Sequence, residues 1–362
     1  FFGVTTNDDI SKDRTIENIT ANHIKVKGTD NIGGIIGSGN GAKNITATDI
    51  TVEGNSNVGG IVGSTGYMAK STLNIIKDST IIGHGNTIGG LAGTYGGGSC
   101  NTVENCIINT TSNSSIIGGV YGKTGNTISE TRVLNTKINA DGNSVGGIIG
   151  YNANSHMYHS YAQNVEIKGI SDIGGIVGET EQNSTIRCTY NNVKIIANGN
   201  NVGGIIGYYN NEYTSASNSN NFYNNSVYGS ILQGKNNVGG IIGATQKELY
   251  IGQNSIYSSN YVQVDLVSED NNTVSLGIGN MPNQNKYLQD AYYYKYSTIN
   301  GENPNEQNEI FISLDNYLTG EELKKQETYM SKLKWDTTDW NYSVLQTNKY
   351  PLINNTHLSG QI

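Results

Sequence analysis

One pattern constrains this chain more than any other: an Ile or Val, then Gly-Gly, then two mostly aliphatic residues, then Gly. It occurs as Ile32-Gly33-Gly34-Ile35-Ile36-Gly37 and again at Val58, Ile88, Ile117, Val145, Ile173, Val202 and Val238. The first glycines of successive copies are 26, 30, 29, 28, 28, 29 and 36 residues apart. A degenerate ninth copy, Val274-Ser275-Leu276-Gly277-Ile278-Gly279, extends the series by a further 36. A period of this size marks stacked repeats, in which each unit buries its apolar face only against its neighbours.

A second piece recurs upstream of each Gly pair, as in Asp49-Ile50-Thr51-Val52-Glu53 and Asn164-Val165-Glu166-Ile167-Lys168. Its apolar and polar residues alternate, the period of a strand with one face buried. A third short apolar piece, such as Lys43-Asn44-Ile45-Thr46, precedes it. Asn, Gly, Ser and Asp clusters separate the pieces and favour turns. Three strands and three turns in one repeat fit one coil of a parallel β-helix. The Leu/Asn consensus of leucine-rich repeats is missing, and a propeller blade needs about 40 residues. Nine coils at about 4.8 Å each predict a rod on the order of 43 Å long. All three prolines lie beyond residue 280, as continuous strand pairing requires. Glycine in a strand costs on the order of 0.5–1 kcal/mol relative to Ala, so eight Gly pairs at one position call for a reason of shape. The expectation is a strip where a bend or the opposite wall comes close to the backbone. A phosphate-cradling loop does not fit, because no helix and no suitably placed Lys follow.

The fold class is therefore all-β, a parallel β-helix of about nine coils with a small α+β C-terminal cap. Residues 1–14 form an N-terminal lead-in or cap and 15–279 the repeat region. The last two coils carry insertions near 209–225 and 244–260, and such variation maps to loops on one face of a solenoid. Residues 280–362 read as a capping segment holding both tryptophans, Trp335 and Trp340. Thr319-Gly320-Glu321-Glu322 matches a capping box for one short helix, with Leu323, Met330 and Leu333 at helical spacing. The helix face and the two Trp rings are expected to cover the last coil. The alternative use of these rings is to stack on a ligand sugar.

The net charge is −8, with charged residues at 14%. No Lys/Arg stripe is present to neutralise phosphates, which argues against nucleic acid and against an anionic membrane surface. No apolar run approaches the roughly 20 residues that span a bilayer, so no membrane insertion is expected. Cys100, Cys106 and Cys188 form no disulfide framework. Free thiols at Cys100 and Cys106 are preferred over a small closed loop. The chain opens on Phe1, which reads as a mature protein or a piece of a longer one.

No stretch resembles an active site. His156 and His159 have a metal-like spacing, but nothing nearby in sequence joins them, and a solvated turn is the expectation. Glu179 and Glu181 are a close acidic pair lacking a partner across a cleft. The three arginines share no coil position with stacked acids, against the pattern of β-helical polysaccharide lyases and hydrolases. Asp/Asn turns such as Asp141-Gly142-Asn143 lack the ligand spacing of a calcium loop. No catalytic residue, metal or cofactor is assigned. Tyrosines follow the Gly strands at Tyr67, Tyr95, Tyr151, Tyr208 and Tyr209, with Tyr213 in the first long insertion and Tyr158, Tyr161 and Tyr190 in neighbouring turns. Tyr151, Tyr208, Tyr209 and Tyr213 are the candidate ligand-binding residues, an aromatic strip on which sugar rings would stack. Ordinary packing is the competing account.

The repeated [Ile/Val]-Gly-Gly-[Ile/Val/Leu]-x-Gly resembles the GLUG repeat of bacterial surface and secreted proteins. Leu333-Lys334-Trp335-Asp336, Trp340 and Tyr350-Pro351-Leu352 resemble the tail that often follows such an array. The resemblance implies a secreted or cell-surface bacterial protein. It further implies a non-enzymatic adhesin segment or rigid stalk that binds a host or neighbouring-cell glycan or protein. A substrate-positioning region of an IgA1-type metallopeptidase is the alternative, without the His-Glu-x-x-His signature. A β-helical polysaccharide lyase or hydrolase is a third reading.

Overall fold

The computed structural model describes residues 2–4, 15–39, 41–66, 70–94, 96–111, 116–181, 184–210, 221–247, 256–282, 288, 290–309, 311–347 and 350–354. The repeat region winds as a parallel β-solenoid. The Gly-pair strands stack into a nine-stranded sheet, from Asp30–Gly33 to Val274–Ser275. The strands that follow them form a ten-stranded sheet. It begins with Phe2–Val4, which pairs in parallel with Ile36–Gly39 and so extends the solenoid. The alternating pieces build the largest sheet, of 17 strands, and a six-stranded sheet joins from Gly98–Ser99 onward.

Three columns of left-handed residues mark the turns, the second of them ending at Asn164. One runs through Asn18, Asn44, Leu73, Cys100, Glu130, His159, Cys188, Asn224, Ser259 and Asp290, with φ between 48° and 60°. A second holds His23, Asp49, Asp78, Asn105, Asn135 and Asn164, and a third Asn31, Asn57, Ser144, Asp172, Asn201 and Asn237. Asn and Asp tolerate this backbone better than other non-Gly residues, which accounts for the Asn-rich turns. Several also bond along the column: Asn57 Nδ2 donates to Asn31 Oδ1 at 2.8 Å, and Asn237 to Asn201 at 2.6 Å.

Inside, like side chains stack coil on coil. One file is Val52, Ile81, Ile108, Ile138, Ile167, Ile195, Leu232 and Leu266, all fully buried. Each such side chain contributes about 1.5–3 kcal/mol by leaving water. Buried polar residues sit where the ladder turns and satisfy its backbone. Asn101 Oδ1 accepts from Asn74 N, Ser79 Oγ from Ile50 N, and Thr136 Oγ1 from Cys106 N.

The glycines are set by close approach. A β-carbon on Gly59 would lie 2.1 Å from Val62 O of its own coil, where the chain bends. On Gly60 it would lie 2.4 Å from Gly90 O of the next coil, and on Gly63, 2.5 Å from Gly37 O of the preceding one. The second position of the degenerate copy follows from the same geometry, whereas Ser275 at the first position has no explanation in it. Leu276 occupies the second-glycine place in the last coil, where no further Gly carbonyl stacks against it, and its side chain is fully buried.

The C-terminal region departs from expectation. The last coil is covered by residues 288–312: Gly277 meets Phe311, Leu288 and Ile312. Buried Glu309 accepts from the amides of Leu276, Phe311 and Ile312 and from Ser275 Oγ. The helix and the Trp rings do not cover this end. They lie along the flank, where Trp335, Trp340, Tyr329, Leu333 and Leu352 pack on a buried row of Tyr161, Tyr190, Tyr228 and Tyr261. Trp335 Nε1 donates to Ser259 O at 2.7 Å, and the two indoles stack with centroids 4.2 Å apart. Both indoles are therefore buried and take no sugar. The capping box does form, with Thr319 N donating to Glu322 at 2.8 Å and Glu322 N to Thr319 Oγ1 at 3.3 Å. It closes a single turn, and the helix proper is Gln326–Ser331. Met330 faces outward, 44% exposed, so it does not share the buried face of Leu323 and Leu333. The three cysteines are free and buried.

Candidate functional site

The outward column of the ten-stranded sheet gathers the most chemistry. Parallel register sets Lys123 beside Tyr151, Tyr151 beside Glu179, and Glu179 beside Tyr208. Neighbours in such a column are about 4.8 Å apart. Lys123 Nζ lies 4.8 Å from the Tyr151 ring centroid. The Tyr151 hydroxyl donates to Glu181, whose strand position is two beyond Glu179. Ser144 Oγ donates to Glu179 at 2.8 Å. Burial, with Asp172 and Glu181 nearby, holds the Glu179 carboxyl above the usual carboxylate range. Burial likewise raises Asp172, against a 2.6 Å hydrogen bond from Asn201. Burial and the Glu181 contact raise the Tyr151 phenol, which keeps its proton. The result is a half-buried strip of two tyrosines, two carboxylates and one ammonium. Its under-hydrated carboxylates gain from hydroxyl donors.

Of the expected binding residues, Tyr151 and Tyr208 meet on this strip. Tyr209 does not, because side chains alternate along the strand. Tyr209 points inward in the column of Asn152, Thr180 and Thr245, and is 4% exposed. Tyr213, Tyr67 and Tyr95, and the parts of the two long insertions at 211–220 and 248–255, lie outside the described residues. Tyr161 and Tyr190 are not in turns. They belong to strands Tyr161–Gly169 and Tyr190–Ala197 and stack 4.6 Å apart beneath the flank unit.

His156 and His159 do not come together in a solvated turn. His156 lies in strand His156–Tyr158, while His159 occupies the following bend. There its Nε2 is 2.7 Å from Asp339 Oδ1 of the flank unit, and Cys188 is the next residue in the same bend column. Ligand atoms of His159, Cys188 and Asp339 all lie within 4.8 Å of one another. The contact with His159 is the main cause that holds the Asp339 carboxyl below its ordinary range. Sequence reasoning misses this group because its members come from distant segments. Arg187 beside it lies 4.7 Å from the Tyr158 ring centroid and donates to Tyr223 Oη at 3.1 Å.

A polar recess of about 310 Å³ beside the last coil is lined by Asn271, Asn272, Asn300, Glu302, Asn305 and Asn308, among others. None of its lining residues carries an aromatic ring for stacking. Among the described residues no helix is long and apolar enough to cross a membrane. Comparison of the chain with family models, curated proteins and solved structures finds no match.

Proposed function

We propose that this chain is a rigid, non-enzymatic segment of a secreted or cell-surface bacterial protein, and that it binds a glycan along the strip of Tyr151, Glu179 and Tyr208. The observation that carries the reading is the shared outward column, which holds two phenol rings on either side of a carboxylate raised by burial. Rings supply stacking faces and the carboxylates accept hydroxyl protons, the pairing a sugar needs. The solenoid supplies rigidity, since every coil is paired to its neighbours and the strip rests on strands rather than on a loop. The resemblance of the Gly-pair repeat to GLUG arrays supports a surface role, with adhesion to a host or neighbouring cell as its use.

The test is a glycan array probed with the intact chain and with the Tyr151→Ala, Tyr208→Ala double variant. Specific binding that disappears in the double variant supports the reading. Binding unaffected by it moves the ligand off this strip.

A further inference from the structure

We propose that His159, Cys188 and Asp339 form a divalent-metal site, suited to zinc, that fastens the C-terminal flank unit to the solenoid. The donor set is one imidazole, one thiol and one carboxylate, the set a tetrahedral zinc site takes with a water as fourth ligand. The atoms already lie within 4.8 Å of each other. With zinc–ligand bonds of about 2.0–2.3 Å, ligand atoms in such a site are about 3.3–3.8 Å apart, so a separation at the 4.8 Å limit must close by about 1 Å while the 2.7 Å His159–Asp339 contact opens by about 0.6 Å or more.

The fold holds each donor in place independently. His159 and Cys188 are successive members of one left-handed bend column, with φ of 48° and 51°, so their side chains leave the same corner one coil apart. Asp339 is presented by a turn in which Asp336 Oδ1 accepts the amides of Thr338 and Asp339, each at 2.9 Å. That turn is anchored by the Trp335 indole on Ser259 O. Cys188 is fully buried. The grouping is not a general property of the column, since Cys100 at the equivalent place faces Glu130, at 3.5 Å. On binding, the Cys188 thiol proton and the proton shared between His159 Nε2 and Asp339 both leave to solvent, and His159 coordinates as the neutral Nδ1–H tautomer through its Nε2 lone pair. Thiolate and carboxylate then neutralise the dication, which suits a buried position.

The experiment is a Zn²⁺ titration of the reduced, chelator-stripped 362-residue chain against a chromogenic chelator. Co²⁺ serves as a spectroscopic substitute. One equivalent of Zn²⁺ is expected per chain, with a thiolate-to-Co²⁺ charge-transfer band and a higher thermal midpoint when loaded. Cys188→Ser and His159→Gln should each weaken binding by about tenfold or more, whereas Cys100→Ser should not. The absence of stoichiometric uptake by the unaltered chain would overturn the proposal without reference to any variant. Uptake that Cys188→Ser leaves unchanged would overturn it equally, by assigning the metal to surface histidines.

Discussion

A β-carbon on Gly119 would lie 2.0 Å from the carbonyl oxygen of Gly147 in the next coil. That oxygen belongs to backbone, which cannot rotate away as a side chain would. Gly119→Ala should therefore force the two coils apart and lower stability by about 3 kcal/mol, at the upper end of ordinary overpacking. Gly66 is the control, because a β-carbon there would meet nothing within 4 Å, and Gly66→Ala should stay within about 0.5 kcal/mol. Denaturant midpoints followed by circular dichroism measure both. Equal midpoints for the two variants would show that the Gly columns are not steric.

Asn101 should be equally intolerant, for a different reason. Its Oδ1 accepts from Asn74 N and Nδ2, both at 3.1 Å, and its Nδ2 donates to Ser71 O at 2.6 Å and to Tyr121 Oη at 2.7 Å. Asn101→Leu leaves a buried amide and a buried carbonyl unpaired, at about 1–3 kcal/mol each. Asn236→Ala removes a 3.0 Å bond to Asn200 at the surface and should cost under about 1 kcal/mol. The same midpoints rank the pair, and a larger loss for Asn236→Ala would contradict this account of the corners.

Trp335→Ala should loosen the flank unit without unwinding the coils. The indole is fully buried, stacks on Trp340 and Tyr329, and holds Ser259 O. Its loss costs about 3–5 kcal/mol in a packed site. Limited proteolysis should then cut within residues 318–353 while the β-sheet signal of the solenoid persists. Simultaneous loss of both would mean that the flank unit is integral to the coils.

The end cover should make stability pH-dependent through Glu309. Burial pushes its carboxyl up to about 7, against the amide hydrogen bonds that pull it down. The folded chain thus holds the proton more tightly than the unfolded chain. The contribution is complete below the ordinary value of 4.5 and is lost as pH rises through about 7. Its full size is on the order of 3 kcal/mol. Burial raises Asp172 and Glu179 as well, and they act in the same direction. Between pH 5 and pH 8 the thermal midpoint of the unaltered chain should fall further than that of Glu309→Gln. Parallel curves would refute the assignment.

The coil is legible in the sequence because its cause is local and repeated. Each glycine of the pair answers a contact that recurs from coil to coil, and Leu276 replaces the second only where stacking ends. Tyr208 and Tyr209 look like one patch in sequence, although within strand Ile206–Asn210 Tyr208 faces outward and Tyr209 inward; counting alternate positions from the buried Ile206 would give the reverse, because the bend buries Ile206 and Gly207 alike. The flank unit is harder to read. Trp335 and Trp340 announce that they are buried, but nothing in their own segment says that the acceptor is a tyrosine row on the side of the solenoid. His159 and Asp339 are 180 residues apart. Only the shared bend position of His159 and Cys188 is available in the repeat register.

The most direct measurement of the central claim is calorimetric titration of a glycan selected on the array into the intact chain, Tyr151→Ala, Tyr208→Ala and the double variant. The account predicts that each single variant weakens binding, that the double variant abolishes it, and that the thermal midpoint changes little because both rings are only half-buried. Affinity that is retained in the double variant would contradict it.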